Sequence, residues 1–299
     1  MSILKYRAFL TTIEHNSLTK AAEVLGYTQP GISHMISSLE RELGFPLLVR
    51  AKDGVFPTEN ARYIQYYMQQ IISNDDALME TAYQIRGMER GSLKIGTFYS
   101  TSTHWLPEIV SKFLAEHPNI VLCINEGTHD EMNEWLTQGK VDIAITSLPV
   151  PDGYDFLPLW EDPILAVVSK SNPLAQKAVV SVRELVEYPF IAPQVGADES
   201  ISQVMHAEGL LPQIRFRIKG DMATLSLIGR DLGVSLIPEL VIMPIHDNIA
   251  ILPLDKHYVR TLGICIHSVK HAAPAAKAFI TELKTFIQEV WEGYYPRNK

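Results

Sequence analysis

Cysteine is nearly absent: Cys123 and Cys265 are the two in 299 residues. Each lies in an apolar run, Ile120–Ile124 and Leu262–Ile266, with no CxxC spacing and no neighbouring Cys/His cluster. Both therefore read as small buried hydrophobes on strands rather than a redox pair or a metal site. No apolar run reaches the roughly 18 residues that a membrane span needs. The start, Met1–Arg7, lacks the apolar stretch and small-residue cleavage site of an export signal, so the cytoplasm is the expected compartment. Low-complexity sequence is missing too, and 46% hydrophobic with 20% charged residues excludes a disordered chain. An excess of positive charge is also lacking, since the net charge is −8. Residues 1–60 nevertheless balance, with Lys5, Arg7, Lys20, Arg41, Arg50 and Lys52 against Glu14, Glu23, Glu40, Glu42, Asp53 and Glu59. A neutral head on an acidic body can bind DNA when its cations and helix N-termini aim at phosphates. Finally, HExxH, Gly-x-Ser-x-Gly and a phosphate-binding glycine loop are all missing, and the histidines are scattered. Asp142 and Asp221 are the potential acids. No enzyme, cofactor or metal site is expected.

What is present begins with helices. The length suits about two domains. Leu4, Phe9, Leu10 and Ile13 form one helical stripe. Ser17 can cap a second helix through Leu18, Ala21, Ala22 and Leu25, which Gly26 can end. Thr28 can cap a third, with Pro30 tolerated in its first turn. Ile32, Ile36, Leu39 and Leu43 give that helix one buried face, and Gln29, Ser33, His34 and Ser37 leave the other polar and free of acid. Two helices across a tight turn, the second with a neutral polar face, suit a helix-turn-helix that reads the major groove. Periodicity alone leaves a merely solvated face open. Asp53-Gly54 between Leu47–Arg50 and Val55–Pro57 signals a hairpin, hence a wing with Arg50 and Lys52 available to phosphates.

Residues 59–88 contain no proline, and no glycine before Gly87. A helix of that length is a rod of about 45 Å. Ile64, Met68, Ile71, Asp75, Leu78, Ala82 and Ile85 follow a 4-3 spacing, a coiled-coil seam interrupted by Asp75. A helix packed on its own domain is the alternative. Beyond Gly91, short apolar runs alternate with helical stretches: Leu93–Gly96, Ile120–Ile124 and Val141–Thr146, then Ile164–Ser169, Phe190–Ala192, Ile214–Lys219, Val234–Ile237 and Leu262–His267, with a last helix near 273–292. The pattern predicts an α/β fold in two lobes, crossing near Ile164–Ser169 and Leu262–His267, with a ligand cleft beyond the strand ends.

Ser17-Leu18-Thr19-Lys20-Ala21-Ala22, Leu25, Thr28-Gln29-Pro30-Gly31-Ile32-Ser33, Ile36, Leu39-Glu40, Leu43-Gly44, Leu47 and Arg50 resemble the N-terminal signature of LysR-type transcriptional regulators. Gly31, Leu48 and Asn60-Ala61 depart from its commonest form, which bears on the packing of the wing. His117-Pro118, Gly139–Ile145, Asn172–Ala175 and Gly233–Pro238 extend the likeness along the chain. The resemblance implies a winged helix-turn-helix over 1–58, a linker and dimerisation helix over 59–88, and a two-lobed effector-binding domain over 91–299, similar to periplasmic binding proteins. Lobe I would hold about 91–161 and 268–299, and lobe II about 162–267. An exported solute-binding protein would share the lobes but have no use for 1–58.

A homodimer or homotetramer on double-stranded promoter DNA is implied, with a small effector and no membrane partner. The candidate DNA contacts are Thr28, Gln29, Pro30, Ser33, His34, Ser37, Arg50 and Lys52. The candidate dimer seam is Ile64, Met68, Ile71, Leu78, Ala82 and Ile85. Segment 97–103 carries five Ser/Thr residues in seven before a helix, a potential anion seat. The resemblance places this segment in the cleft: Tyr99, Ser100, Thr101 and Ser102, faced by Thr128, Ser147, the turn at Pro193 and Thr224. The effector would be carboxylate-bearing or similarly anionic. With no Arg or Lys in these loops, a monoanion or neutral polar molecule is favoured over a phosphate. Simple helix capping by Ser102 or Thr103 is the alternative.

Overall fold

A computed structural model describes residues 2–85, 90–242 and 248–291. The expected end of the linker helix past Ile85 and the chain past Trp291 lie outside the described residues. The chain forms two compact units, one holding residues up to Arg90 with Thr137–Lys140, the other Gly91–Leu136 and the residues from Val141 on.

In the first unit, capping and spacing set the helices. Helix α1 (Ile3–Glu14) buries Tyr6 and Phe9. Ser17 accepts a hydrogen bond from Lys20 N and starts α2 (Leu18–Leu25), which ends at left-handed Gly26. Thr28 accepts from Gly31 N and starts α3 (Gln29–Leu43), whose Ile32, Ile36 and Leu39 are buried. Strands β1 (Leu48–Ala51) and β2 (Gly54–Pro57) pair antiparallel, Val49 opposite Phe56. Helix α4 (Glu59–Ile85) follows. Phe9, Ile32, Leu39 and Leu47 form the centre of the core, each contributing about 1.5–3 kcal/mol by burial.

The N-terminal half of α4 belongs to that core. Met68 is 3% exposed within it, and Ile64 and Ile72 pack against it. Ile64 and Met68 therefore do not continue the outward seam expected of them. Asp75, the break in the heptad, meets Arg7 of α1 at 3.5 Å, and Arg7 also pairs with Asp76. Further on, Ile71, Leu78 (64% exposed), Met79 and Ile85 (82%) face outward, and Ala82 is half-buried.

The second unit runs β3 (Gly91–Thr97), α5 (Tyr99–His104), α6 (Leu106–Glu116), β4 (Ile120–Glu126), α7 (His129–Thr137), β5 (Ile143–Ser147), β6 (Asp155–Ser169), α8 (Val182–Leu185), β7 (Phe190–Pro193), α9 (Glu199–Glu208), β8 (Ile214–Ile218), α10 (Asp221–Ile228), β9 (Ser235–Pro238), α11 (Glu239–Ile242), β10 (Ile249–Leu252), β11 (Val259–Ile266) and α12 (Pro274–Thr285). One sheet has the order β10-β6-β11-β5-β3-β4, with β9 also on β6. β3 runs parallel to β4 and β5, as alternating strands and helices require. A parallel pair, β7-β8, completes the second lobe.

The crossing between lobes differs from expectation. Strand β6 begins nine residues before Ile164, and this first half pairs with β11. Pro158 and Pro163 hide it in the sequence, because proline inside a strand is confined to edges and bulges. The register indeed shifts between Leu262 and Gly263, and a Cβ on Gly263 would lie 2.5 Å from Leu157 O. Ile164–Val167 of β6 then pair with β9 in the second lobe, whereas Leu262–Ile266 of β11 pair with β5 in the first. The crossing thus sits near Glu161–Pro163 and Val259–Thr261, and Leu262–Ile266 fall to the first lobe rather than the second.

Cys265 is buried, and burial pushes its thiol up to about 12. Cys123 is exposed, against expectation, because β4 ends the sheet and most of its length stays open to solvent.

Candidate functional site

On the head, Thr28, Gln29, Pro30, His34 and Ser37 are exposed at one end and face of α3, and Ser33 is half-buried beside them. Pro30 in the first turn costs no intrahelical bond, and no acid stands among these residues. Arg50 and Lys52 are exposed on the hairpin. Two contacts that the sequence does not announce fix this wing. Glu40 of α3 accepts the amides of Leu47 at 2.7 Å and Leu48 at 3.3 Å. Asn16 O accepts from Val55 N at 3.1 Å, and only a residue without Cβ fits at Gly54, where one would lie 2.7 Å from that oxygen. These bonds tie α3 and the loop after α1 to the hairpin.

In the second unit a cavity of about 400 Å³ opens between the lobes. Phe98, Tyr99 and Ser100 contribute from the first lobe, with Glu126, Gly127 and Thr128. Pro193, Asp198, Ile201 and the segments Ile218–Thr224 and Ser235–Pro238 contribute from the second, and Arg260 from β11 near the crossing. Arg260 is almost wholly buried. It donates from Nε to Asp162 Oδ2 at 2.9 Å, from Nη1 to Asp198 Oδ2 at 3.3 Å and from Nη2 to Ser100 Oγ at 3.1 Å. Its guanidinium lies 5.3 Å from the Phe98 ring centre. Burial pushes the Asp162 carboxyl up, while Arg260 and the Leu240 amide, at 3.0 Å, pull it back. Across the cleft Lys219 reaches Glu131 at 2.7 Å. Lys219 and the Thr128 donors hold the Glu131 carboxyl down at about 2. Asp221 is pushed up, chiefly by burial.

Residues 86–288 match the LysR substrate binding domain, and residues 3–62 match the bacterial regulatory helix-turn-helix proteins of the lysR family. The chain belongs to the LysR family of transcriptional regulators. Among its relatives is the "Uncharacterized HTH-type transcriptional regulator YvbU" of Bacillus subtilis (strain 168), 28% identical over 95% of this chain and 98% of YvbU. The HTH-type transcriptional activator CmpR of Synechocystis sp. is 24% identical over 85% of this chain and 86% of CmpR. A full-length OxyR variant from Pseudomonas aeruginosa shares the fold with a TM-score of 0.78, at 23% identity over 97% of this chain and 95% of OxyR. The effector binding domain of QuiR in complex with shikimate has a TM-score of 0.62, at 22% identity over 68% of this chain and 99% of that domain.

In this LysR-type regulator, the cavity brings together Tyr99, Ser100, Thr128, Pro193 and Thr224 of the expected effector contacts. Thr101, Ser102 and Ser147 lie outside its lining. The expected loop is in fact the helix α5, and its geometry turns two hydroxyls back onto their own backbone. Thr101 Oγ1 donates to Phe98 O, and Ser102 Oγ donates to Tyr99 O and contacts Glu126. Ser147 is buried at the end of β5. The cations that the loops lack come from elsewhere: Arg260 from a strand, and Lys219 from the residue after β8. Asp142 accepts from Lys94 N at 2.8 Å, a structural role between β3 and β5.

Proposed function

We propose that this LysR-type regulator binds promoter DNA in the cytoplasm as a homo-oligomer and responds to a small polar effector in its interlobe cavity. The exposed, acid-free face of α3 locked to a cationic wing carries the DNA half of this reading. Gln29, Ser33, His34 and Ser37 would meet base edges, with Thr28 and Pro30 at the entering end of the helix. Arg50 and Lys52 would meet phosphates. Outward Ile71, Leu78 and Ile85, with Ala82, would pair two chains, since a lone helix gains nothing by exposing them. Two heads then share one dyad site through effective concentration.

The effector reading rests on the cavity and the groups around it. Tyr99, Ser100, Thr128, Pro193 and Thr224 are its proposed contacts. The carboxylate-bearing shikimate bound by the QuiR domain favours an anionic effector. The carboxylates of Glu126, Asp198 and Asp221 along this cavity weigh against one. The deciding test is a mobility shift of operator fragments, chosen by genome-wide mapping of bound DNA. Wild type should shift them specifically, and Gln29→Ala/Ser33→Ala should lose that specificity with its fold intact. Unchanged operator affinity in the double variant would refute the assignment of α3.

A further inference from the structure

The cavity lies in a substrate-binding domain, and its charges say what it takes. Both cations on its wall are already spent on protein carboxylates: Arg260 on Asp162 and Asp198, Lys219 on Glu131. Two wall carboxylates, Asp221 and Glu126, form no salt bridge among the described residues; Asp221 feels Arg260 only at longer range and accepts no hydrogen bond from the described residues. A carboxylate ligand would enter a space whose two side-chain cations are already paired and whose remaining side-chain charge is negative. A cation meets the opposite situation. Tyr99, Ile201, Met222 and Ile237 add apolar wall for a short hydrocarbon body.

From this geometry we infer that the effector presents a protonated amine to Asp221, with Glu126 at the entrance and an aliphatic body against the apolar wall. The inference rests on the proposed effector cavity and fixes its ligand class. Burial pushes the Asp221 carboxyl up more than Arg260 pulls it down, and Asp198 adds repulsion. An ammonium group at Asp221 supplies the favourable charge that this environment withholds.

Three probes of one length separate the classes on the full chain: 1,4-diaminobutane, butanedioate and 1,4-butanediol, each by calorimetry and thermal shift. Wild type should bind the diamine in preference to the other two. Asp221→Asn should weaken it by about tenfold or more, the loss of one charge-assisted contact. Thr224→Phe, which fills the cavity from α10, should abolish it. Tighter binding of butanedioate or the diol, still abolished by Thr224→Phe, would overturn the amine assignment and leave the cavity as the effector site. Binding that Thr224→Phe does not touch, or no binding of any probe, would overturn both.

Discussion

Replacing Arg260 with methionine keeps most of the side-chain volume and removes the one cation among the described residues that touches Asp162. Asp162 is 1% exposed and, among the described residues, would keep only the Leu240 amide as a donor. Breaking a buried pair from one side costs about 3–5 kcal/mol. Protonation sets the ceiling. Taking a carboxyl from its ordinary value of 3.8 to neutrality at pH 7 costs about 4 kcal/mol at about 1.4 kcal/mol per pH unit. By the same arithmetic the penalty at pH 5 falls to about 2 kcal/mol. The sign follows from linkage: in the variant the folded state favours protonated Asp162, so folding takes up a proton and the deficit grows as pH rises. For a unit of this size about 4 kcal/mol lowers the melting temperature by roughly 8–16 °C. Differential scanning calorimetry of wild type and Arg260→Met at the two pH values measures this directly. Asp162→Asn in the same background should restore most of the loss, because the amide oxygen can still accept from Leu240. A loss under about 1 kcal/mol at pH 7, or one indifferent to pH, would refute the picture of a buried carboxylate held ionised by Arg260.

Substitutions on α4 should divide by depth. Leu78→Glu should leave the head folded but abolish the proposed dimer in light scattering and weaken operator binding. Met68→Glu puts a charge into the head core, costs about 3 kcal/mol or more and is read as lost cooperativity of unfolding. Arg50→Ala should weaken all DNA sequences alike and reduce the salt slope by about one, measured by titration at several salt concentrations. Glu40→Gln should lower operator affinity with little change in α3, since the wing amides lose a charged acceptor; unchanged affinity would mean the wing is held by its other contacts. The Glu131 carboxyl has its folded value lowered from 4.5 to about 2. Its contribution is therefore present above the higher value and lost as pH falls through the lower one. Glu131→Gln should flatten the acid limb of the unfolding curve in that window.

The head was legible because its signals are local. Ser17, Thr28 and Gly26 cap and stop helices through groups only a few residues away, and the Ile32–Leu39 spacing needs no knowledge of the partner it buries against. The linker shows where local pattern stops deciding. Its 4-3 spacing is unbroken from Ile64 to Ile71, yet α1 claims the first turns of the helix and leaves the later ones outward. Nothing in the heptad itself marks that change, although the break at Asp75 becomes intelligible once Arg7 is placed beside it.

The cavity was harder for a related reason. A reading of segment 97–103 counts hydroxyls near one another in the chain, and a hydroxyl inside a helix has its own carbonyls within reach. Thr101 and Ser102 take that option. The charged cluster at the cavity, Asp162, Asp198, Asp221 and Arg260, comes from residues far apart in sequence, on β6, at the ends of α9 and α10, and on β11. Proline within β6 concealed the strand that carries Asp162, and the early start of β11 placed Arg260 just outside the apolar run that marks the strand. Arg260 and Asp162 are register partners on β11 and β6, just before the register shifts at Leu262/Gly263, so strand pairing itself sets where they meet. Any effector that alters the reach between Ser100 of one lobe and Asp198 of the other must therefore act on the guanidinium bonded to both.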